Sequence, residues 1–316
     1  MTAGVLLIGG LGYVGYNLAR HYVAAGVEVV VSHRSGAPSR RPGIAAALRS
    51  LGARLLRVEG PDELATWLRE TGCPRTVFTL VGRIRGSGRE LWLSNYQAAV
   101  ALTRAALGVC RRATYVLASS IAVYGVDAPR RCGAPVVEEP EHCSCCRPRS
   151  AYARAKLEAE RALIEEAGRA GAPLVAARMG IFAGRRPYHP EWRTLLGFAR
   201  LGLYPRSDIY IHVTTAEVLA ATTRLAGRAA AVNAISHRVR LASLARTLAL
   251  HLSGRGVAIP FPGRRTLGLL LRATRGPLAD TAWSFSTPVA SRHLPEPSED
   301  GAERLAEELV AEPPEP

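Results

Sequence analysis

The sequence predicts an α/β protein built on a doubly wound parallel sheet, with a smaller lobe towards the C-terminus. Three observations lead there: β-branched runs alternate with helix-length segments through residues 1–178, a glycine-rich turn separates the first run from the first helix, and the alternation loosens afterwards. Alternation of this kind implies right-handed βαβ crossovers, which place parallel strands side by side with helices on both faces.

The elements follow in order. Val5–Gly9 is an apolar run and reads as the first strand, and a helix is expected from about Gly12 to Ala25. Val27–Val31 reads as the second strand, a short helix near Ile44–Leu51 precedes a third strand at Arg54–Val58, and Asp62–Glu70 looks helical. Thr76–Val81 is the fourth strand, Arg89–Gly108 a long helix and Thr114–Ala118 the fifth strand. Ala151–Ala167 is a further helix, followed by strand Leu174–Ala177. Beyond residue 178, helices at Trp192–Leu201, Ala216–Leu225 and Leu241–Leu252 mix with strands at Ile209–Val213 and Ala231–Ile235. This divides the chain into a sheet domain over 1–178, a mixed α/β lobe over 179–294 interleaved with it, and an acidic tail over 295–316. The amphipathic piece Ala302–Val310 in that tail suits either a docked terminal helix or a mobile extension.

Composition narrows the class. No stretch reaches the roughly 18 consecutive apolar residues of a membrane span. The N-terminus lacks a basic region and a small-residue cleavage site before its first strand, so a soluble, cytoplasmic protein is expected. The net charge is +15, but residues 295–316 carry −7, leaving +22 on the rest. So basic a body attracts phosphate-bearing small molecules or nucleic acid, or reflects a general preference for arginine. Asn occurs only at 17, 95 and 233 and Gln only at 97, a depletion of heat-labile amides that fits a thermophilic source. Lysine occurs once, at Lys156. Arginine serves everywhere else, so this position calls for an ammonium, whose shape and ability to lose a proton arginine cannot supply.

Gly9-Gly10-Leu11-Gly12-Tyr13-Val14-Gly15 lies between the first strand and the first helix. Glycines at 9, 12 and 15 permit a tight turn and close backbone approach to a pyrophosphate, which the helix N-terminus then faces with free N–H groups. Gly9, Gly12, Tyr13, Val14 and Gly15 are therefore cofactor-binding candidates. NAD-binding folds usually end the second strand with an acid; here it ends Ser32-His33-Arg34. Hydroxyls and cations suit the 2′-phosphate of NADP, so NADP is favoured over NAD, with Ser32, His33 and Arg34 at that end.

Ser150-Ala151-Tyr152-Ala153-Arg154-Ala155-Lys156 opens a helix with Ser150 as N-cap. Tyr152 and Lys156 are four residues apart and share a helix face. An ammonium beside a phenol, near a helix N-terminus, stabilises the phenolate and makes a general acid/base. Ser119-Ser120-Ile121-Ala122-Val123-Tyr124-Gly125 follows the fifth strand, and Asn95 lies on the preceding long helix.

Together these motifs resemble the extended short-chain dehydrogenase/reductase family, in its NAD-dependent epimerase/dehydratase branch. The resemblance covers residues 4–184 with good motif order, including Arg178 with Gly184 six residues later, and extends thinly to about 235, where Ile211-His212-Val213 looks like a later family strand. It implies a Rossmann-type fold whose C-terminal lobe builds the substrate pocket. It also implies a proton exchanged by Tyr152, a nicotinamide ribose held by Lys156, a substrate oxygen bonded by Ser120 and a supporting network through Asn95. Family members often dimerise through the helices carrying Asn95 and Tyr152, so a homodimer is implied as well. The chain departs from the pattern at Val81-Gly82-Arg83, at Glu59-Gly60-Pro61, at Ile121-Ala122 after Ser120, and at Ile181, where an asparagine often meets nucleotide sugars. Sugar 4,6-dehydration is thereby disfavoured, and other alcohols or ketones join nucleotide sugars as substrates.

Cys132, Cys143, Cys145 and Cys146 share one loop with His142, while Cys73 and Cys110 are scattered and expected to be buried. The C-x-C-C run differs from the usual C-x-x-C knuckle, so free thiols, disulfides and a zinc site all remain open. The leading expectation is an NAD(P)-dependent oxidoreductase or epimerase acting on a small-molecule secondary alcohol or ketone, a nucleotide sugar among the candidates, with no membrane partner. The rival is a non-catalytic sensor or RNA-binding scaffold on the same fold. Intact Ser120, Tyr152 and Lys156 argue against that rival, and nucleic acid is not the expected partner.

Overall fold

Residues 4–139, 143–187, 189–263, 265–267, 277–299 and 301–312 are described by a computed structural model. The strands are β1 (Val5–Ile8), β2 (Val29–His33), β3 (Arg54–Arg57), β4 (Thr76–Thr79), β5 (Thr114–Ser120), β6 (Leu174–Met179), β7 (Ile181–Phe182), β8 (Leu203–Arg206), β9 (Tyr210–Thr214), β10 (Ala231–Ala234), β11 (His237–Arg240) and β12 (Val257–Pro260). Seven of them form one parallel sheet in the order β3-β2-β1-β4-β5-β6-β10. β1 and β4 are neighbours at the centre although the chain visits two other strands between them, so the order reverses there. A cleft outside the C-terminal ends of the strands opens at such a reversal.

Burial explains the arrangement. Val5, Leu6, Leu7 and Ile8 of β1 are all buried, as a strand covered on both faces requires. Helices Tyr13–Ala24 and Pro42–Ser50 cover one face, where Leu18, Ile44 and Leu48 join a core shared with Trp192, Leu219 and Leu244 of the later segments. Helices Pro61–Thr71, Ala99–Val109 and Ala151–Ala170 cover the other face through Leu64, Leu68, Leu107 and Leu163. β3 lies at the sheet edge and exposes Arg54 and Arg57.

Most predicted elements stand within a few residues of their expected ends. The informative differences have physical causes. β5 runs to Ser120 and β6 to Met179, because paired neighbours extend the ladder past the apolar core. The long helix starts at a capping box of Ser87 and Glu90 and carries a π-helical segment, Leu93–Ala98, before continuing as Ala99–Val109. Beyond β6 the chain leaves the main sheet: β7, β9 and β11 form a small separate sheet, and β8 pairs with β12. β10 returns to the main sheet beside β6.

The terminal segment is a docked helix, Ala302–Val310, with Leu305, Ala306 and Leu309 buried. Its acids meet bases of the first helix and of the loop after β7. Glu308 pairs with Arg20 at 3.2 Å, and the Glu312 carboxylate accepts from Tyr16 Oη at 2.8 Å and Arg186 Nε at 2.7 Å. Asp300 and Glu315 of the tail lie outside the described residues.

The sulfurs are paired as Cys73–Cys110, Cys132–Cys145 and Cys143–Cys146. The expectation of two scattered buried thiols is corrected: Cys73 is exposed and bonded to buried Cys110, because the chain ends before β4 and after helix Ala99–Val109 meet at one sheet edge.

Leu309 is 1 % exposed within this packing. Leu309→Ala is expected to lower stability by about 2–5 kcal/mol, read by urea or thermal unfolding. A change within experimental error would show that the helix is not docked in solution.

Candidate functional site

The glycine turn fits a dinucleotide pyrophosphate at the sheet's reversal point. Gly9 holds φ at +70°, and a Cβ on Gly15 would meet the Gly10 carbonyl oxygen at 1.9 Å, so the backbone packs where no side chain could. Gly12 is the N-cap of helix Tyr13–Ala24, which opens with no acidic residue in its first turn. An anion is therefore favoured there by both the free N–H groups and the helix dipole. The Tyr13 side chain is buried and donates to the Gly184 carbonyl at 2.8 Å, so this residue offers a cofactor only its backbone. Val14 is partly buried against the same core.

At the far end of the turn, Ser32 is buried and its hydroxyl accepts from Gly9 N–H at 3.1 Å. Ser32 thus shapes the turn, while His33 and exposed Arg34 lie at the rim. Glu59, after β3, accepts from Ser35 N–H at 2.9 Å and so braces the loop that follows β2. Sequence reading did not single out Arg41, whose guanidinium donates to the Leu11 carbonyl at 2.8 Å and closes the turn from outside.

Ser120 ends β5, and helix Ala151–Ala170 brings Tyr152 and Lys156 to the same sheet edge. The Ser120 hydroxyl accepts from Ala122 N–H at 3.2 Å, which leaves its proton to point elsewhere. Burial pushes the Tyr152 phenol up to about 12, and a side-chain hydrogen bond with Ser120 works in the opposite direction. Lys156 is buried and donates to the Ala118 carbonyl at 2.8 Å. Burial lowers its ammonium to about 8, with the Glu160 carboxylate opposing the shift. Asn95 is fully buried in the π-helical segment; its amide donates to the carbonyls of Arg83 (2.8 Å) and Leu91 (3.0 Å) and accepts from Arg83 N–H (3.2 Å). It pins the loop after β4, where a Cβ on Gly82 would meet Asn95 Oδ1 at 2.4 Å and Lys156 Nζ at 3.1 Å. π-helical turns often mark such sites. The four expected active-site residues are thus brought together around the ends of β4 and β5.

Behind them runs a buried polar chain that the sequence reading missed. Ser119 donates to Glu160, Glu160 pairs with Arg178 at 2.7 Å, Arg178 donates to Tyr124 Oη at 3.1 Å, and Tyr124 donates to Asn233 at 2.8 Å. Burial acts against the charge on Arg178, but Glu160 outweighs it and keeps the guanidinium firmly protonated. The signal was present: Glu160 follows Lys156 by one further helical turn on the same face. Asp280, also missed, is buried and accepts from Arg149 and Ser150 N–H at 2.9 and 2.8 Å, fixing the start of the catalytic-candidate helix. His212 is held neutral by burial, with Arg238 adding to the effect, and its Nε2 accepts from Val289 N–H at 3.1 Å.

The open question of the cysteine loop resolves to two disulfides, because its four sulfurs pack together. In that form no group of three or more histidine, cysteine or carboxylate side chains among the described residues is set to hold a metal. His142 lies outside the described residues. Among those residues no helix is long and apolar enough to cross a membrane.

Lys156 is the sole lysine, so a 13C-lysine label reports it alone. Its signal is expected to titrate near 8, below the ordinary 10.5. The unfolded chain then binds more protons between those values. Stability relative to Lys156→Met should rise as pH climbs from about 8 to 10.5, by up to about 3 kcal/mol. A midpoint near 10.5 would contradict the burial.

The comparisons with known proteins agree with this geometry. Solved structures that share the fold include the following three. The UDP-N-acetylglucosamine 4-epimerase from Methanobrevibacter ruminantium M1, in complex with UDP-N-acetylmuramic acid, superposes with a TM-score of 0.69 at 18 % identity, over 97 % of this chain and 96 % of its own. The Bordetella bronchiseptica enzyme WbmG, in complex with NAD and UDP, gives 0.65 at 16 % identity over 97 % and 94 %. The UDP-N-acetylglucosamine 4-epimerase from Bacillus cereus gives 0.66 at 13 % identity over 96 % and 94 %. Curated protein sequences give no significant match. The model of the NAD dependent epimerase/dehydratase family matches residues 5–199, well over half of the chain, and the protein with this glycine turn and this Tyr152–Lys156 helix belongs to that family of enzymes.

Proposed function

We propose that the protein is an NAD(P)-dependent epimerase or dehydrogenase/reductase that acts on a secondary alcohol or the corresponding ketone, with Tyr152 as general acid/base. The observation that carries the reading is the placement of Tyr152 and Lys156 on successive turns of one buried helix face, beside Ser120 and at the C-terminal sheet edge. The bound nicotinamide supplies hydride transfer to or from the substrate carbon. The chain's residues do the rest. Ser120, hydrogen-bonded to Tyr152, turns its hydroxyl to the substrate oxygen when substrate is bound. Tyr152 gives or takes the proton at that oxygen as the carbon changes oxidation state. Lys156 retains N–H donors beyond the one spent on Ala118 and presents them to the cofactor ribose.

Nucleotide-linked sugars are the first substrates to test, since two solved structures sharing the fold are named as UDP-N-acetylglucosamine 4-epimerases and a third is described in complex with UDP. NADP is the preferred cofactor in this proposal. Arg34 stands at the end of β2 where NAD-binding folds keep an acid. A homodimer would form through the helices of Asn95 and Tyr152, where Trp92 and Leu93 are 37 % and 44 % exposed. The working compartment is proposed to be the cytoplasm.

Two experiments follow. Tyr152→Phe is expected to lower turnover of a reactive substrate by about 10²–10⁴-fold while cofactor binding, read by nicotinamide fluorescence, stays within a few-fold; full activity would overturn the acid/base role. Arg34→Ala should weaken NADP binding on the order of tenfold and leave NAD unchanged, and equal effects on both would remove the case for NADP.

A further inference from the structure

We propose that Cys132, Cys143, Cys145 and Cys146 form a four-thiolate zinc site in the reduced protein, of which the two disulfides are the oxidised form. The sulfurs are linked in an unbroken series: Cys132 is bonded to Cys145, Cys145 lies 3.8 Å from Cys143, and Cys143 is bonded to Cys146. A zinc tetrahedron with Zn–S of about 2.3 Å has sulfur–sulfur edges of about 3.8 Å, so the unbonded contact already has the length of one edge. The bonded pairs have Cα–Cα separations of 5.4 and 5.2 Å, leaving side-chain rotation to open the others.

The loop's local geometry favours a metal over a staple. Cys143 and Cys146 stand in C-x-x-C spacing within a turn closed by Cys146 N–H to the Cys143 carbonyl at 3.3 Å. A crosslink spanning only three residues gains little from loop closure, whereas that spacing suits chelation. The backbone is held without the sulfurs: Arg131 donates to the Cys145 and Tyr124 carbonyls at 2.9 and 2.7 Å, Arg147 to those of Ser144 and Cys146 at 2.9 Å each, and Glu139 accepts from Ser144 N–H at 2.7 Å. Opening both disulfides therefore leaves the ligands in place. The same guanidiniums bring two positive charges to the loop that carries the sulfurs, against the negative charge that four thiolates retain around a dication. Cys143, Cys145 and Cys146 are buried against Tyr124 and Leu157, where bare thiolates would be costly.

In a reducing compartment a cellular dithiol supplies two electrons and two protons to each disulfide and leaves as its own disulfide. The four thiols then release four protons to solvent as four Zn–S bonds form. The test uses the full chain, reduced with a phosphine under anaerobic conditions, desalted and titrated with Co²⁺ and then Zn²⁺. One Co²⁺ per chain should bind with the thiolate charge-transfer and tetrahedral ligand-field absorption of a sulfur site, and Zn²⁺ should bleach it. Cys73→Ser should keep that absorption, while Cys146→Ser and, independently, Cys132→Ser should lose its four-sulfur form. Absence of the bands once six thiols are titratable, their survival in both cluster variants, or disulfides that resist the phosphine in the folded chain would each overturn the proposal.

Discussion

A charged lysine is buried at the end of the central sheet, and much of the surrounding structure serves to keep it there. The ammonium of Lys156 has one fixed partner, the Ala118 carbonyl at the end of β5. Burial drives its proton affinity down, and the Glu160 carboxylate one turn along the helix is the group that opposes this. Glu160 is itself affordable inside the protein only because Arg178 on β6 forks onto it and Ser119 on β5 donates to it. Removing one member of such a set leaves a buried charge unmatched, which is far more damaging than the modest net worth of the pair. The chain goes on through Tyr124 to Asn233 on β10, so the last strand of the sheet is tied to the same charges.

The phosphate end of the cleft rests on a different economy, in which small residues and backbone do the work. Ser32 holds Gly9, Arg41 holds Leu11, and the buried Tyr13 ring packs edge-on against Phe182 at 5.2 Å while its hydroxyl reaches Gly184. Asn17 bonds Arg185 through both its carbonyl and its amide. The first helix is in this way clamped from behind by the segment after β7, and that segment is held in turn by Glu308 of the terminal helix and by Glu312 just beyond its end. The acidic tail thus neutralises part of the excess positive charge of the body at a defined place, and the net charge overstates the basic surface open to polyanions.

The catalytic-candidate helix is fixed at its start by groups far away in sequence. Ser150 caps it by accepting from Ala153 N–H, and Asp280 receives Arg149 and Ser150 N–H from the later lobe.

The sequence by itself determined the sheet, the glycine turn and the pairing of Tyr152 with Lys156, because each rests on a local signal: period, spacing, or a turn only glycine can make; Ser120 and Asn95 joined them through the resemblance of their motifs to a known family. Lys156 stood out in composition alone. Tertiary structure alone decided the partners of Glu160, Asp280, Arg41 and Glu312, the pairing of the six sulfurs, the docking of Ala302–Val310 and the return of β10 to the main sheet. Apart from the short Cys143–Cys146 link, those depend on contacts between residues from 13 to 296 positions apart, for which local propensity carries no information, and on the demand that buried charges and hydrogen-bonding groups find partners wherever the fold brings them.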